Sequence, residues 1–231
     1  MTFIPLIGLG LLMTVVIVWL FRQTLHVRPW VQSRPFEPAH AGGRVFNSPV
    51  KLGLITFLAV ATSLFALFIS AFLMRSQEAD WRSLAVPGLL WVNSGLIVAA
   101  SIALEITRIL AHRGDSAAVK GGLAAACALT ASFIGGQYAV WLQLIGAGQF
   151  DTANPANAFF YMLTGAHGIH LLGGLYVLGR TTFKTWRGAQ VGEVSESVDL
   201  CAIYWHFLLL VWLVLLAVLW SASKGIIGYC A

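Results

Sequence analysis

The chain is patterned in apolar blocks, each about as long as a bilayer is thick, set apart by short polar segments. Six blocks stand out, at 3–21, 51–74, 88–110, 121–145, 157–180 and 199–222. Crossing the hydrocarbon takes roughly 20 apolar residues as a helix, and lipid offers an open backbone no hydrogen-bond partner. The pattern therefore predicts an all-α fold, a polytopic transmembrane bundle of about six helices. It divides into an N-terminal transmembrane helix at 1–22, a connector at 23–50, a helical bundle at 51–222 and a short tail at 223–231. The first block is read as a retained helix, because no small-residue cleavage site closes it.

The basic residues orient the bundle. Arg22, Arg28, Arg34, Arg44 and Lys51, then Arg108, Arg113 and Lys120, then Arg180, Lys184 and Arg187 fall on one side. Only Arg75, Arg82 and Lys224 fall on the other. Basic loops stay cytoplasmic, so both termini are expected on the non-cytoplasmic side. Trp81, Trp91, Trp186 and Trp220 lie near block ends, where an indole suits the headgroup layer. The connector holds Pro29, Pro35, Pro38, Pro49, Gly42 and Gly43, and separates the first helix from the others.

Composition narrows the function. Hydrophobic residues make up 58% of the 231 and charged residues 10%, against about 25% charge in a soluble domain. The formal charge of +5 follows from the basic loops and calls for no nucleic acid. Cys127, Cys201 and Cys230 are far apart, form no CxxC pair and read as packing residues. Stripes of small residues, Ala124, Ala128, Ser132 and Gly136 in one block and Gly95, Ala99 and Ala103 in another, predict close helix packing.

Polar residues within the blocks are few, and each needs an account. Glu105 is the only acid in the interior of a block, Asp199 standing at the edge of the last, and Arg108 three residues on is its natural partner. Asn93 and Gln137 are expected to hydrogen-bond neighbouring helices. His167 and His170 share roughly one helix face, and His206 lies in another block. Ligation of a metal or haem by these histidines is the lesser reading beside interhelical hydrogen bonding or contact with lipid or a subunit. His170 and His206 are expected on neighbouring helices in one layer. Arg180, Lys184 and Trp186 sit at the cytoplasmic edge, where a phospholipid headgroup finds cations.

Several local motifs resemble one family, in its order. Phe160-Tyr161-Met162-Leu163-Thr164-Gly165-Ala166-His167-Gly168-Ile169-His170 resembles the T-G-x-H-G-x-H signature of haem-copper oxidase subunit III, the cytochrome c oxidase subunit 3 family. Tyr204-Trp205-His206-Phe207 with Val211-Trp212 resembles its last-helix signature. Val92-Asn93-Ser94, Gly135-Gly136-Gln137 with Trp141, and Lys51-Leu52-Gly53 with Phe57-Leu58-Ala59 are similar to three further stretches. Acids of the family pattern fall on Ala61, Val140 and Leu209, and its histidine-rich stretch on Val194 and Ser195. Asp199 matches a glutamate. The resemblance implies a divergent bacterial member in the inner membrane.

It further implies a non-catalytic supporting subunit of a respiratory terminal oxidase. The complex would reduce O2 to water with electrons from cytochrome c or a quinol while moving protons. No catalytic site and no metal are expected in this chain. Haem and copper would reside in the catalytic subunit I, with subunit II and bound phospholipids as further partners. The residues expected at lipid or subunit contacts are His167, His170, Trp205, His206, Arg180, Lys184 and Trp186. Asn93, Glu105, Arg108 and Gln137 are expected as structural polar groups. Three alternatives remain open: an accessory subunit of a nitric oxide reductase, a small membrane transporter, and a haem-binding membrane protein.

Overall fold

A computed structural model of the chain describes residues 49–78, 80–82, 87–148, 154–188 and 191–223. Among them are five helices and no strand: α1 (Pro49–Arg75), α2 (Leu89–His112), α3 (Ser116–Gly146), α4 (Pro155–Trp186) and α5 (Val191–Ser223). The expected span over 3–21 lies outside the described residues, as do nearly all of the connector and the tail from 224. Four of the five, Val50–Arg75, Leu89–His112, Ser116–Gly146 and Val194–Ser223, are long and apolar enough to cross a membrane. The remaining helix, α4, is 32 residues long. Its two histidines, four threonines and five glycines dilute the apolar run.

The helices overrun the apolar blocks that predicted them. α5 begins at Val191, eight residues before its block, and α4 continues to Trp186, six beyond. Apolar length measures the hydrocarbon, whereas a helix ends where its terminal backbone groups find other partners. Asp115 caps α3 by accepting from the Ala118 N–H at 3.0 Å. Asn154 caps α4 by accepting from Ala156, with Pro155 opening the helix. Asn154 also grips the Arg82 backbone in both directions, at 3.3 and 3.2 Å, and so ties the α1–α2 loop to the start of α4. At the end of α2, Gly114 adopts φ +79° and its neighbour Asp115 donates back to the Leu110 carbonyl, which closes the last turn. Arg75, at the end of α1, pairs with Asp80 at 2.6 Å and holds that carboxyl below the usual carboxylate range.

Packing follows a period of 3.5 residues. On α3 the buried positions are 119, 123, 126, 130, 133, 137, 140 and 144, in alternating steps of four and three. α5 repeats the rhythm through Val198, Cys201, Trp205, Leu208, Trp212, Leu215 and Leu219. Such spacing keeps one seam facing a neighbour that crosses at about +20°. The expected stripes of small residues are corrected here. Ala128, Ser132 and Gly95 are exposed, because a strict step of four drifts around the helix and leaves the seam.

Close approach occurs instead at single glycines on the seams. A Cβ on Gly136 would overlap Asn93 Oδ1, and one on Gly122 would overlap the Thr107 hydroxyl, both across the α2–α3 contact. We expect Gly136→Val to destabilise the bundle by about 1–3 kcal/mol, the usual cost of overpacking. Gly135→Val, where a Cβ meets nothing within 4 Å, should leave the thermal midpoint of the detergent-solubilised protein unchanged. Equal effects at the two positions would refute the assigned seam.

Candidate functional site

α2 and α5 run antiparallel along their full length. As α2 advances from Trp91 to His112, its partners on α5 recede from Trp220 to Asp199. Trp91 and Trp220 meet edge to face, with centroids 5.3 Å apart. Trp212 Nε1 donates to Ser94 Oγ at 2.9 Å. His206 bonds Ser101 Oγ through Nδ1 at 2.6 Å and Glu105 through Nε2 at 3.1 Å. A carboxylate only accepts, so Nε2 carries the proton of that bond. The other Glu105 oxygen takes Arg108 at 2.9 Å, the pairing expected from sequence. His112 Nε2 bonds Asp199 at 2.9 Å where the seam ends.

The three histidines of the spans occupy three settings. His167 is fully buried, between the rings of Phe65, Phe133 and Trp212, and neither ring nitrogen has a hydrogen-bond partner. The expected contact with lipid or a subunit therefore does not hold for His167, because four helices seal it. His170 donates from Nδ1 to its own helix at the Ala166 carbonyl, 2.7 Å away. Its carbonyl receives the Tyr204 hydroxyl at 2.9 Å, so α4 and α5 are neighbours with His170 and Tyr204 at one level. His206 lies two residues further along α5, about 3 Å in rise. The two rings share a layer, as expected, yet lie on different sides of α5 and do not partner each other.

A cavity of about 620 Å³ opens between α1, α4 and α5. Val50, Leu54 and Phe57 wall it on one side, and His170, Gly173, Gly174 and Val177 on the next. Leu200, Cys201, Tyr204 and Trp205 complete the wall. Gly174 makes the room, since a Cβ there would stand 2.5 Å from the Tyr204 ring. Along α4 the lining positions 173 and 177 continue in register to Arg180 and Lys184, both exposed. Of the expected contact residues, His170 and Trp205 line this cavity; His206 does not.

The motifs quoted above interlock. Asn93 Nδ2 donates to Gln137 Oε1 at 3.2 Å, joining α2 to α3. Trp141 lies against Gly165 and donates to Thr164 at 3.1 Å, joining α3 to α4. Phe57 packs on the rings of His170 and Tyr204 at 6.0 and 6.1 Å, joining α1 to α4 and α5. Trp212 on Ser94 joins the last motif to the second. Trp205 Nε1 reaches Thr130 at 3.1 Å. Sequence reading missed Thr130, Ser94 and Thr164 as acceptors and Ser101 as the partner of His206, because hydroxyl residues in a span carry no mark of which indole or imidazole faces them.

The model of the family described as cytochrome c oxidase subunit III matches residues 6–223. The chain belongs to this family. It is 27% identical over 194 residues to cytochrome c oxidase subunit 3 of Synechocystis, covering 78% of this chain and 79% of that one. It is 28% identical over 185 residues to the subunit of the same name from Thermostichus vulcanus, covering 75% and 87%. A probable cytochrome c oxidase subunit 3 from Nocardia farcinica is likewise 28% identical over 185 residues, covering 74% and 87%. Family membership and the long apolar helices make the chain a multi-pass membrane protein of the respiratory chain, a subunit of a haem-copper oxidase. Where the family pattern expects acids, Ala61 and Val140 are buried in the core and Leu209 is half-buried. Among the described residues, no three of His, Cys, Asp and Glu converge as a metal-binding group.

His167 yields a test of this packing. An unpaired buried imidazole carries a desolvation cost of about 1–3 kcal/mol. His167→Leu, of similar volume, should leave the thermal midpoint unchanged or raise it. A loss of more than about 1 kcal/mol would show that the imidazole holds a partner.

Proposed function

We propose that this chain is a non-catalytic, lipid-holding subunit that packs beside the catalytic subunit of a bacterial inner-membrane terminal oxidase. The complex reduces O2 to water, with haem and copper in the catalytic subunit I and with subunit II as a further partner. In this reading six helices cross the membrane, the one at 3–21 included, and both termini lie on the non-cytoplasmic side. The basic bias of the loops supports that orientation.

The observation that carries the supporting role is the cavity between α1, α4 and α5. Its volume of about 620 Å³ suits one small ligand, since such sites run about 300–1,000 Å³. Its lining is almost wholly apolar and fits an acyl chain. Lys184 stands seven residues, about 10 Å, beyond Val177 on the same face of α4. Arg180 lies between them. Lys51 adjoins Val50 at the mouth formed by α1. A phosphate headgroup would meet these cations while its chains enter between the helices, each cation adding about 1 kcal/mol. His206, expected near this lipid, is displaced from it by the rotation of α5, and His170 takes its place.

Purification of the intact complex tests both parts. The chain should travel with a membrane subunit that contains haem and copper. A haem partner without copper would overturn the O2 chemistry. Mass spectrometry of extracted lipid should find phospholipid retained, and Arg180→Gln with Lys184→Gln should weaken its retention by about 10- to 30-fold, in line with about 1 kcal/mol per cation. Unchanged lipid content would overturn the headgroup assignment.

A further inference from the structure

A second pocket, of about 200 Å³, lies between α3 and α4 and shares only Ile169 with the cavity described above. Its α3 wall holds Phe133, Gln137 and Trp141, spaced one turn apart, with the exposed Tyr138 ring beside them. Its α4 wall includes Gly165 and Gly168. Packing requires neither glycine. A Cβ on Gly168 would meet nothing within 4 Å, and one on Gly165 would make ordinary contact with Trp141 at 3.6 Å. Glycine is disfavoured inside a helix, yet α4 presents bare backbone where it borders this space. One flat wall thus stands across from aromatic rings.

One polar group in the interior of the lining is unspent. Thr164 Oγ1 donates to the Phe160 carbonyl and accepts from Trp141 Nε1. Gln137 is 6% exposed, and its Oε1 accepts from Asn93 Nδ2 on α2. Its Nε2 is buried with no hydrogen-bond partner. The oxygen and nitrogen of an amide diverge, so the bond to α2 turns the NH2 group away from that helix. Asn93 Oδ1 does not take it, being set against the bare backbone of Gly136.

Buried donors find acceptors as a rule, and the chemistry of the pocket narrows which one. A water molecule needs roughly two to four polar partners, and the interior of this lining offers one. A phospholipid carries its acceptors at headgroup level, whereas Gln137 lies nine residues, about 13 Å, inside the end of α3 at Gly146. No cation is among the lining residues, and an acyl chain accepts nothing. The occupant is therefore neutral, apolar enough to enter hydrocarbon, and carries an acceptor of its own.

We propose that this pocket binds the ring of a membrane quinone. One ring carbonyl accepts from Gln137 Nε2. The ring lies along Gly165 and Gly168, and Phe133 and Trp141 pack on it as aromatic rings do. The isoprenoid tail leaves past Leu172, which is exposed. The quinone is a bound ligand, and its site does not depend on what fills the α1–α4–α5 cavity.

The test uses the intact complex in detergent with two photoreactive probes, an azido-substituted short-chain ubiquinone and an azidoacyl phosphatidylcholine. The quinone should label peptides covering 133–141 or 164–172 of this chain, and excess decylubiquinone should abolish the label. Labelling of those peptides by the phospholipid, undiminished by decylubiquinone, would place an acyl chain in the pocket and overturn the proposal. Quinone label absent from this chain would overturn it as well. Gln137→Leu should raise the decylubiquinone concentration needed for half-protection by about tenfold, the effect of one lost hydrogen bond. That change also removes the bond to Asn93, so Gly168→Leu serves as a second variant. Its side chain enters the pocket from a position with room for it. It should abolish quinone labelling and leave the thermal midpoint unchanged. Labelling and protection unaltered in either variant would refute the site.

Discussion

Lipid accepts and donates no hydrogen bonds, and most of the polar groups described in this bundle are arranged under that constraint, the buried His167 ring being an exception. Short hydroxyl residues meet it locally. Ser94, Thr107, Thr164, Thr181, Thr182 and Thr185 each donate to the carbonyl four residues back on their own helix. That bond leaves the hydroxyl oxygen free to accept, and the indoles use it. Trp212 donates to Ser94 and Trp141 to Thr164, each a hydroxyl already tied to its own backbone. One residue type thereby satisfies itself and offers a socket to a neighbouring helix. Such bonds are worth only about 0.6 kcal/mol each in a membrane. Their larger effect is to fix register, since a helix that slides by one turn strands both an indole and a hydroxyl.

Register is what turns five separate helices into one arrangement. Apolar side chains alone would pack in many offsets, because lipid is as apolar as the seam. The polar ties select one. Asn93 with Gln137, and the bare backbone of Gly136 beside it, hold α2 against α3 at a single offset. The run of bonds from Trp212 on Ser94 to His112 on Asp199 does the same for α2 and α5 over most of their length. The motifs that resemble the subunit III family are these ties, and their chemistry serves the fold itself.

What the sequence disclosed divides along the same line. Features that depend on one helix were legible. Five of the six predicted helices are present among the described residues, four of them long and apolar enough to cross a membrane, and Glu105 pairs with Arg108 because a step of three brings them together on any helix. Features that depend on which helices touch were not. Nothing in the chain marks Ser101 as the partner of His206, since 105 residues separate them and only the fold sets α2 beside α5. The small-residue stripes misled for a related reason. A step of four is easy to see in sequence, but contact between long helices follows 3.5, and of the glycines that matter, Gly122 and Gly136 share the α2–α3 seam fourteen residues apart while Gly174 lies on the α4–α5 seam. The helix ends lay in capping residues, Asp115 and Asn154, outside the apolar pattern altogether.

Three consecutive residues on α5 show how one helix serves several faces. Successive side chains point about 100° apart, as 3.6 residues per turn requires. Tyr204 turns to the cavity and reaches the His170 carbonyl. Trp205 points into the core and reaches Thr130. His206 turns to the outer seam and takes Glu105 and Ser101. The order tyrosine, tryptophan, histidine thus assigns one side chain each to a ligand-sized space, the interior and an outward surface. The acid positions of the family pattern bear on the same division. Ala61 and Val140 place apolar carbon inside the core where a carboxylate would need partners of its own. Glu105 lies on the α2–α5 seam, where an imidazole and a guanidinium hold it. Glu105, Arg108 and His206 are thereby gathered on the outer face of α2 and α5, while the cavity side of α5 carries the Tyr204 hydroxyl among apolar residues.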